Sequence, residues 1–186
     1  AEKDVTKDMR RKAKVINFGI IYGMGVNALR ENLGGTRAEA QEFYDHYFQT
    51  FPKVADYFEE VKAKAAKDGF TETFFGRRRY FADIRSTIPY IRAAAERQAV
   101  NAPLQGTAAD IIKMAMTHVE DALAQKGLSE KVRLILQVHD ELVYEIDEDV
   151  LARAGKSIAF AMENAVDFPI PLVVSSATGK RWGELK

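Results

Sequence analysis

The sequence contains no cysteine, so it can form neither a disulfide framework nor a thiolate metal site. This absence suits a reducing compartment but does not require one. No run of about 18 apolar residues occurs, so no membrane-spanning helix is expected. The first residues are charged and lack the apolar segment of a secretory signal peptide. Together these absences predict a chain that folds without disulfides or thiolate-bound metal and has no membrane-spanning helix.

The sequence also lacks net charge, since 27 basic residues balance 27 acidic ones. Bulk charge therefore gives no indication of a nucleic-acid partner, but its distribution does. Positive charge concentrates at residues 10–14 and 77–79, and negative charge at 140–149. The 186 residues suffice for one large domain or two small lobes. The chain begins without Met, and we expect it to be part of a longer protein.

Residues 8–25 carry an unusual helical pattern. At about 100° per residue, Arg10, Lys14, Phe18 and Tyr22 share one arc, opposite an apolar arc typical of a core face. Cations can hold phosphates and aromatic rings can stack on bases. The arc formed by these two cations and two rings, called the mixed arc below, therefore indicates nucleotide binding. A plain amphipathic helix with a basic outer face is the alternative.

Two glycines, Gly19 and Gly23, interrupt the same helical pattern. Each costs about 1 kcal/mol relative to alanine inside a helix. We therefore expect another group to approach the backbone closely at these positions. The helix itself is expected to continue to about Leu33 and to end at Gly34.

The string Gln-Val-His-Asp-Glu at 137–141 joins two apolar runs, which predict a β-hairpin. Its turn lacks the Asn-Gly or Asp-Gly pair that two-residue hairpin loops favour, and such a departure indicates function. Asp140 and Glu141 offer hard oxygen ligands that suit Mg²⁺, which usually keeps waters and substrate phosphates as further ligands. An ordinary polar turn is the alternative reading.

The remaining patterns predict helices and short strands that together give an α+β fold. Helices are expected from a capping box at Thr36, from 52 to 69, and at 90–100, 107–125 and 148–166. A small hairpin is expected at 70–81, turning near Gly76, and a last strand at 171–177, with Trp182 packed on the sheet. We predict a mostly helical lobe at 1–85, followed at 86–186 by an antiparallel sheet with helices on one face.

Three strings, in order, resemble family A DNA polymerases of the bacterial DNA polymerase I type. The first, Arg10-Arg-x-x-Lys14-x-x-Asn-Phe18-Gly-x-x-Tyr22-Gly23, is similar to the nucleotide-binding helix of the fingers. The second is Glu96-Arg97-Gln-Ala-Val-Asn101-Ala-Pro-Leu-Gln105-Gly106, and the third is the string at 137–141, similar to the metal motif of the palm. The Gly-Arg-Arg-Arg string at 76–79 also resembles the family. The resemblance covers nearly the whole chain.

The resemblance implies a role for each residue of the mixed arc. Arg10 and Lys14 would hold the triphosphate of the incoming dNTP, with Lys14 as a proton donor to the pyrophosphate leaving group. Phe18 would pack on the sugar and base, and Tyr22 would stack near the templating position. Arginine gives bidentate phosphate contacts and lysine a mobile point charge, which suits these roles.

The other two strings imply contacts to primer-template DNA. Arg97, Asn101 and Gln105 would contact the duplex near the active site, and His139 would lie beside the primer end. Minor-groove acceptors are common to all base pairs, so polar side chains there check pairing shape without reading sequence. The alternative is that these residues only cap helices or face solvent. This alternative applies more to Arg97 than to Gln105.

The resemblance of the third string implies that Asp140 would bind the catalytic Mg²⁺ ions, with Glu141 beside it. A second metal-binding Asp of the family precedes the fingers and would lie upstream of this chain. Two-metal phosphoryl transfer needs both ions clamped, so we expect the 186 residues alone to be inactive.

The resemblance implies a fragment of a cytoplasmic DNA-directed DNA polymerase of DNA replication and repair, comprising part of the fingers at 1–85 and of the palm at 86–186. The intact enzyme would transfer nucleotides from dNTP to a primer 3′-OH. Its partners would be primer-template DNA, dNTP and the upstream remainder of the chain, with no membrane. A phage-type single-subunit RNA polymerase and a non-catalytic nucleic-acid-binding module remain as alternatives.

Overall fold

The computed structural model describes residues 4–185, which fall into two compact units. Unit 1 extends to Gly106 and unit 2 begins at Thr107. The helices are α1 (Lys7–Ile21), α2 (Val26–Leu33), α3 (Arg37–Thr50), α4 (Pro52–Asp68), α5 (Pro89–Gln125) and α6 (Leu151–Glu163). The strands are β1 (Phe70–Glu72), β2 (Arg78–Tyr80), β3 (Val132–Val138) and β4 (Glu141–Ile146). Short 3-10 helices lie at Ala82–Arg85, Ser129–Lys131, Glu148–Val150 and Trp182–Glu184.

The secondary structure is mostly helical, with two small antiparallel sheets, β1–β2 and β3–β4. This confirms the predicted α+β class. The predicted division into 1–85 and 86–186 concerns functional subdomains and stays a prediction. None of the helices described between residues 4 and 185 is long and apolar enough to cross a membrane.

In unit 1, α1 is shorter than the sequence predicts. It ends at Ile21 because Gly23 takes a left-handed conformation with φ 82°. The backbone N–H of Met24 donates to the carbonyl of Gly19 at 2.7 Å, and that of Gly23 donates to Ile20 at 2.9 Å. This pair of bonds is the Schellman arrangement, which terminates a helix. The predicted single helix to Leu33 is therefore wrong, and α2 is a separate element.

The apolar arc of α1 forms a core as predicted. Ile16 and Ile20 are buried together with Leu29 of α2 and Tyr47 of α3. Residues Met24, Tyr44, Phe48 and Val54 pack against this cluster. The buried arc fixes the rotation of α1 about its axis, so the mixed arc faces away from the core.

The long helix α5 contradicts the two separate helices expected at 90–100 and 107–125, because Pro103 lies inside one continuous helix of 37 residues. A proline in a helix interior removes one hydrogen bond and costs about 3 kcal/mol. Here Ala95, Ala99 and Ala102 are buried against α4 and the segment that follows β2. The Tyr57 hydroxyl also donates to the carbonyl of Val100 at 3.2 Å. These long-range contacts favour the helical path, so the expected helix start at 107 is wrong.

Unit 2 contains the β3–β4 hairpin with helices on one face, as predicted. Val132 of β3 is buried with residues of α5 and α6, and Tyr144 and Ile146 of β4 pack against the same cluster. The register pairs Leu134 with Tyr144 and Leu136 with Val143, so Ile135 forms a β-bulge. The bulge reverses which face the later residues of β3 occupy.

The C-terminal segment of unit 2 differs from the expectation. Residues 171–177 form no strand, and the backbone N–H of Val174 donates instead to a Glu163 carboxylate oxygen at 3.0 Å. Trp182 is 56% exposed in a 3-10 turn and is not packed on a sheet. The apolar pattern of this segment was misleading, since Val173 is also exposed.

Candidate functional site

The outer face of α1 brings together the four residues of the predicted mixed arc. The rings of Phe18 and Tyr22 are stacked, with centroids 6.0 Å apart and planes 26° from parallel. Lys14 Nζ lies 5.9 Å from the centroid of the Phe18 ring. Tyr22 is the C-cap residue of α1, and both rings are nearly half exposed. The arrangement offers flat aromatic surface directly beside a mobile cation.

The basic residues of α1 divide into paired and unpaired cations. Arg11 and Lys12 pair with Asp8 at 2.8 and 3.1 Å, and their hydrogen bonds lower the pKa of that carboxyl group. Within residues 4–185, neither Arg10 nor Lys14 forms an ion pair, and both side chains are exposed. The cations of the mixed arc are thus available to an anionic ligand, whereas Arg11 and Lys12 already share the Asp8 carboxylate.

Gly19 in α1 and Gly23 just after it each have a close neighbour, as the sequence led us to expect. A methyl group at Gly19 would meet Met24 Cε at 2.3 Å. At Gly23 it would meet Arg97 Cγ at 2.5 Å, so the aliphatic stem of Arg97 packs directly on the end of α1. This contact brings Arg97 of the second string next to the C-terminal end of α1.

Along α5, Arg97, Asn101 and Gln105 recur at every fourth residue and so share one face. Arg97 and Gln105 are exposed, and Asn101 is partly buried. In the described chain, Asn101 Oδ1 is buried and accepts no hydrogen bond. A buried acceptor without a donor is costly, so a donor from a ligand would be favoured there.

A cavity of about 220 Å³ lies where the β1–β2 hairpin meets α5. The residues that line it are Thr71, Glu72, Thr73, Arg77, Arg78, Arg79, Ala102, Gln105 and Gly106. Sequence reasoning missed Thr71, which is 3% exposed and whose hydroxyl has no partner among the described residues. No sequence signal marks this threonine, because its burial arises from packing between distant segments.

Neighbouring side chains hold two of the cavity's arginines in place. Arg78 Nε donates to a Glu72 carboxylate oxygen at 2.9 Å, and this bond lowers the pKa of the Glu72 carboxyl group. The Arg78 guanidinium also lies 4.5 Å from the centroid of the Phe70 ring. Arg79 donates to Gln98 at 3.3 Å and lies 5.4 Å from the Phe81 ring centroid. The two guanidinium groups therefore have different partners, in keeping with their alternation on a strand.

In unit 2, the β3–β4 hairpin presents His139 and Asp140 in a two-residue loop. Val138 pairs with Glu141, so Glu141 is the first residue of β4. His139 has φ 56°, and Gln137 Nε2 donates to its carbonyl at 2.6 Å. Sequence reasoning identified the string but gave no role to Gln137, since its contact depends on the turn conformation.

The carboxylates of Asp140 and Glu141 are exposed at this loop. Magnesium sites commonly take one or two protein carboxylates and complete their coordination with waters and phosphates, so this pair fits part of such a site. Across the described residues, no three His, Cys, Asp or Glu side chains are grouped to hold a metal. A complete two-metal site would therefore need ligands beyond this group.

Comparison with known proteins gives a consistent result over the whole chain. The model of DNA polymerase family A matches residues 1–184. The chain is 48% identical over 182 residues to DNA polymerase I of Pseudomonas aeruginosa, covering 98% of this chain and 20% of that protein. It is 43% identical over 186 residues to DNA polymerase I of Geobacillus stearothermophilus, covering 100% and 21%.

A solved structure is similar as well. The POL domain of Pol1 from M. smegmatis, in complex with DNA primer-template and dNTP, matches with a TM-score of 0.88 and 41% sequence identity. The match covers 93% of this chain and 30% of that one. The chain thus spans about a fifth of the length of the curated relatives it matches.

Proposed function

This chain belongs to DNA polymerase family A, and we propose that it is the part of a DNA-directed DNA polymerase that binds the incoming nucleotide and carries one catalytic carboxylate. In this proposal residues 1–85 belong to the fingers and residues 86–186 to the palm. The observation that supports it most is the outer face of α1, where two unpaired cations adjoin two stacked rings. The intact enzyme would extend a primer 3′-OH with dNTP on a DNA template.

The mixed arc of α1 binds the nucleotide. Arg10 and Lys14 hold the triphosphate, since a guanidinium and an ammonium without acidic partners can bind phosphate oxygens without first breaking an ion pair. Lys14 also donates a proton to the departing pyrophosphate. Phe18 packs against the sugar and base, and Tyr22 stacks beside the templating base, because exposed rings tolerate any base.

The shared face of α5 binds the primer-template duplex near the reacting end. Arg97, Asn101 and Gln105 follow the minor groove, and His139 lies beside the primer terminus. The exposed Arg97 and Gln105 support this role, because their N–H groups can donate to the minor-groove acceptors that all base pairs share. The arginines of the hairpin cavity add sequence-independent contacts to backbone phosphates.

Asp140 and Glu141 hold magnesium in the intact enzyme, together with ligands from the upstream part of the protein. When bound, the ions stabilise the charge that develops on the phosphoryl group and activate the attacking hydroxyl. The carboxylates of Asp140 and Glu141 would hold the ion at the β3–β4 hairpin. The relatives are bacterial proteins, so we place the intact enzyme in the cytoplasm, where the bacterial chromosome lies.

The nucleotide role is tested by comparing two lysines of α1 in the intact polymerase. Lys14→Ala should lower the single-turnover incorporation rate about 100-fold, because charge stabilisation that grows as pyrophosphate leaves is lost. Lys12→Ala is the matched control, because Lys12 lies two residues before Lys14 on the same helix and pairs with Asp8. It should stay within about twofold of the parent. Equal effects of the two substitutions would contradict the assignment.

The metal role is tested with two carboxylates of β4 and its loop. Asp140→Ala should reduce turnover at least about 1000-fold and leave the Kd for primer-template nearly unchanged, because the carboxylate acts on the metal and not on the duplex. Glu145→Ala removes an exposed carboxylate of the same strand and should keep normal turnover. Near-normal turnover of Asp140→Ala would show that the metal assignment is wrong.

A further inference from the structure

The loop that carries Asp140 has an unusual backbone. His139 is the only non-glycine residue with positive φ among residues 4–185, at 56°. A positive φ at the first loop residue, without one at the second, is the sign pattern of a type II′ turn, which normally has glycine at the first position. Histidine in this position is unfavourable by itself, so neighbouring structure must hold it.

One side chain contacts this turn directly. Gln137 Nε2 donates to the His139 carbonyl at 2.6 Å, shorter than the usual distance of about 2.9 Å for such a bond. The bulge at Ile135 determines where Gln137 lies, since it places Gln137 opposite Leu142. Without the extra residue, Gln137 would share a face with Arg133.

The contacted carbonyl controls the direction of Asp140. The His139 carbonyl and the Asp140 amide belong to one planar peptide unit, so a bond to that oxygen fixes the plane from which the Asp140 Cα departs. Type II′ and type I′ turns differ mainly by rotation of this central plane. If the peptide plane between His139 and Asp140 rotated to the type I′ arrangement, Asp140 would need a positive φ and its carboxylate would point in a different direction.

We propose that Gln137 is a positioning residue, whose hydrogen bond to the His139 carbonyl locks the type II′ turn and thereby directs the Asp140 carboxylate toward the metal. The inference rests on the proposed metal role of Asp140. Gln137 contacts neither substrate nor metal in this role. Its hydrogen bond favours the type II′ turn over the type I′ turn. The bond is needed because His139, unlike glycine, does not favour the type II′ conformation by itself.

The test uses Gln137→Met in the intact polymerase, because methionine has a similar shape but no N–H donor. At saturating dNTP the single-turnover rate should fall on the order of fivefold, as expected for one lost hydrogen bond. The Mg²⁺ concentration for half-maximal rate should rise, while the Kd for primer-template and the thermal unfolding temperature stay unchanged. Gln125→Met makes the same chemical change at the exposed last residue of α5 and should leave all four quantities unchanged.

A second substitution separates positioning from general stability. Glycine accepts positive φ without strain, so in the His139→Gly background the turn no longer needs Gln137. His139→Gly alone will lower the rate, because His139 is proposed to lie beside the primer end. Adding Gln137→Met to that background should cost twofold or less. An equal cost of Gln137→Met in both backgrounds would overturn the positioning role.

The outcomes also distinguish this inference from the proposed function. An inactive Asp140→Ala variant beside a fully active Gln137→Met variant overturns the positioning role alone. An active Asp140→Ala variant overturns the metal function of the turn and the positioning role with it. A slower Gln137→Met variant that also loses thermal stability or duplex affinity assigns Gln137 an ordinary structural role and contradicts the proposal.

Discussion

At the scale of single residues, Phe18 lies between a cation and a second ring on the outer face of α1. Its neighbours are one helical turn away on either side, so in the proposed site the ring and Lys14 would contact the same nucleotide. An atom added to the exposed edge of Phe18 would then contact that nucleotide. The ring is 47% exposed, which leaves room for such an addition.

Phe18→Tyr should change sugar selection in the intact polymerase. If the ring packs where the sugar lies, the new hydroxyl can stand in for a missing 3′-OH. We expect incorporation of dideoxynucleotides to rise at least about tenfold, equivalent to about 1.4 kcal/mol, with little change for dNTPs. Single-turnover incorporation of both substrates measures this, with the exposed Phe43→Tyr of α3 as a control. An unchanged preference would mean that Phe18 does not face the sugar.

A second residue-scale prediction concerns Tyr144 in the core of unit 2. Burial raises the pKa of Tyr144 to about 12, and Glu120 adds to the effect. The unfolded chain ionises near its ordinary value of 10.0, so the folded state is favoured less as pH rises from 10 to about 12. Tyr144→Phe keeps the ring and removes this titration.

The pH profile of unfolding measures the Tyr144 effect. The loss of unfolding free energy between pH 10 and 12 should be smaller in Tyr144→Phe, by well under about 1.4 kcal/mol per pH unit because the side chain is only half buried. Identical profiles for Tyr144→Phe and the parent would contradict the predicted coupling.

At the scale of elements, α3 shows how local chemistry sets a helix start. Thr36 Oγ1 accepts from the Glu39 backbone N–H at 3.3 Å, and a Glu39 carboxylate oxygen accepts from the Thr36 N–H at 2.7 Å. The predicted capping box is thus confirmed. Such a box satisfies two backbone donors that a helix terminus otherwise leaves without partners.

Thr36→Ala should destabilise the start of α3 by about 1 kcal/mol, since alanine cannot accept from the backbone N–H of Glu39. Thr36→Ser keeps the hydroxyl and should lie close to the parent. Hydrogen exchange of the first-turn amides of α3, together with the denaturant midpoint, distinguishes the two variants. Equal losses for alanine and serine would mean that the methyl group of Thr36 matters and the cap does not.

At the scale of the whole molecule, the proposed function requires metal ligands beyond those that the described residues supply. No described group of three His, Cys, Asp or Glu side chains holds a metal, and the chain spans about a fifth of its relatives. We predict that the purified 186 residues show no magnesium-dependent primer extension, whereas the intact polymerase does. Asp140→Ala of the same chain controls for contaminating enzyme. Extension by the parent chain but not by this control would refute the prediction.

The sequence by itself determined the features that local chemistry controls. The capping box at Thr36, the helix start at Pro52 and the left-handed stop at Gly69 follow from backbone hydrogen bonding and sterics, which act over a few residues. The mixed arc of α1 follows in the same way from helical spacing. The hairpin carrying Asp140 was predicted from its two apolar runs.

Only the tertiary structure decided the remaining features, because each depends on contacts between distant segments. Burial of the α5 alanines keeps the helix continuous through Pro103, against local preference. Gly23 is needed because Arg97, distant in sequence, packs on it. The bulge at Ile135 aligns β3 with β4 and brings Gln137 to the His139 carbonyl. Long-range packing of this kind outweighs local propensity by burying apolar surface, which no short window of sequence records.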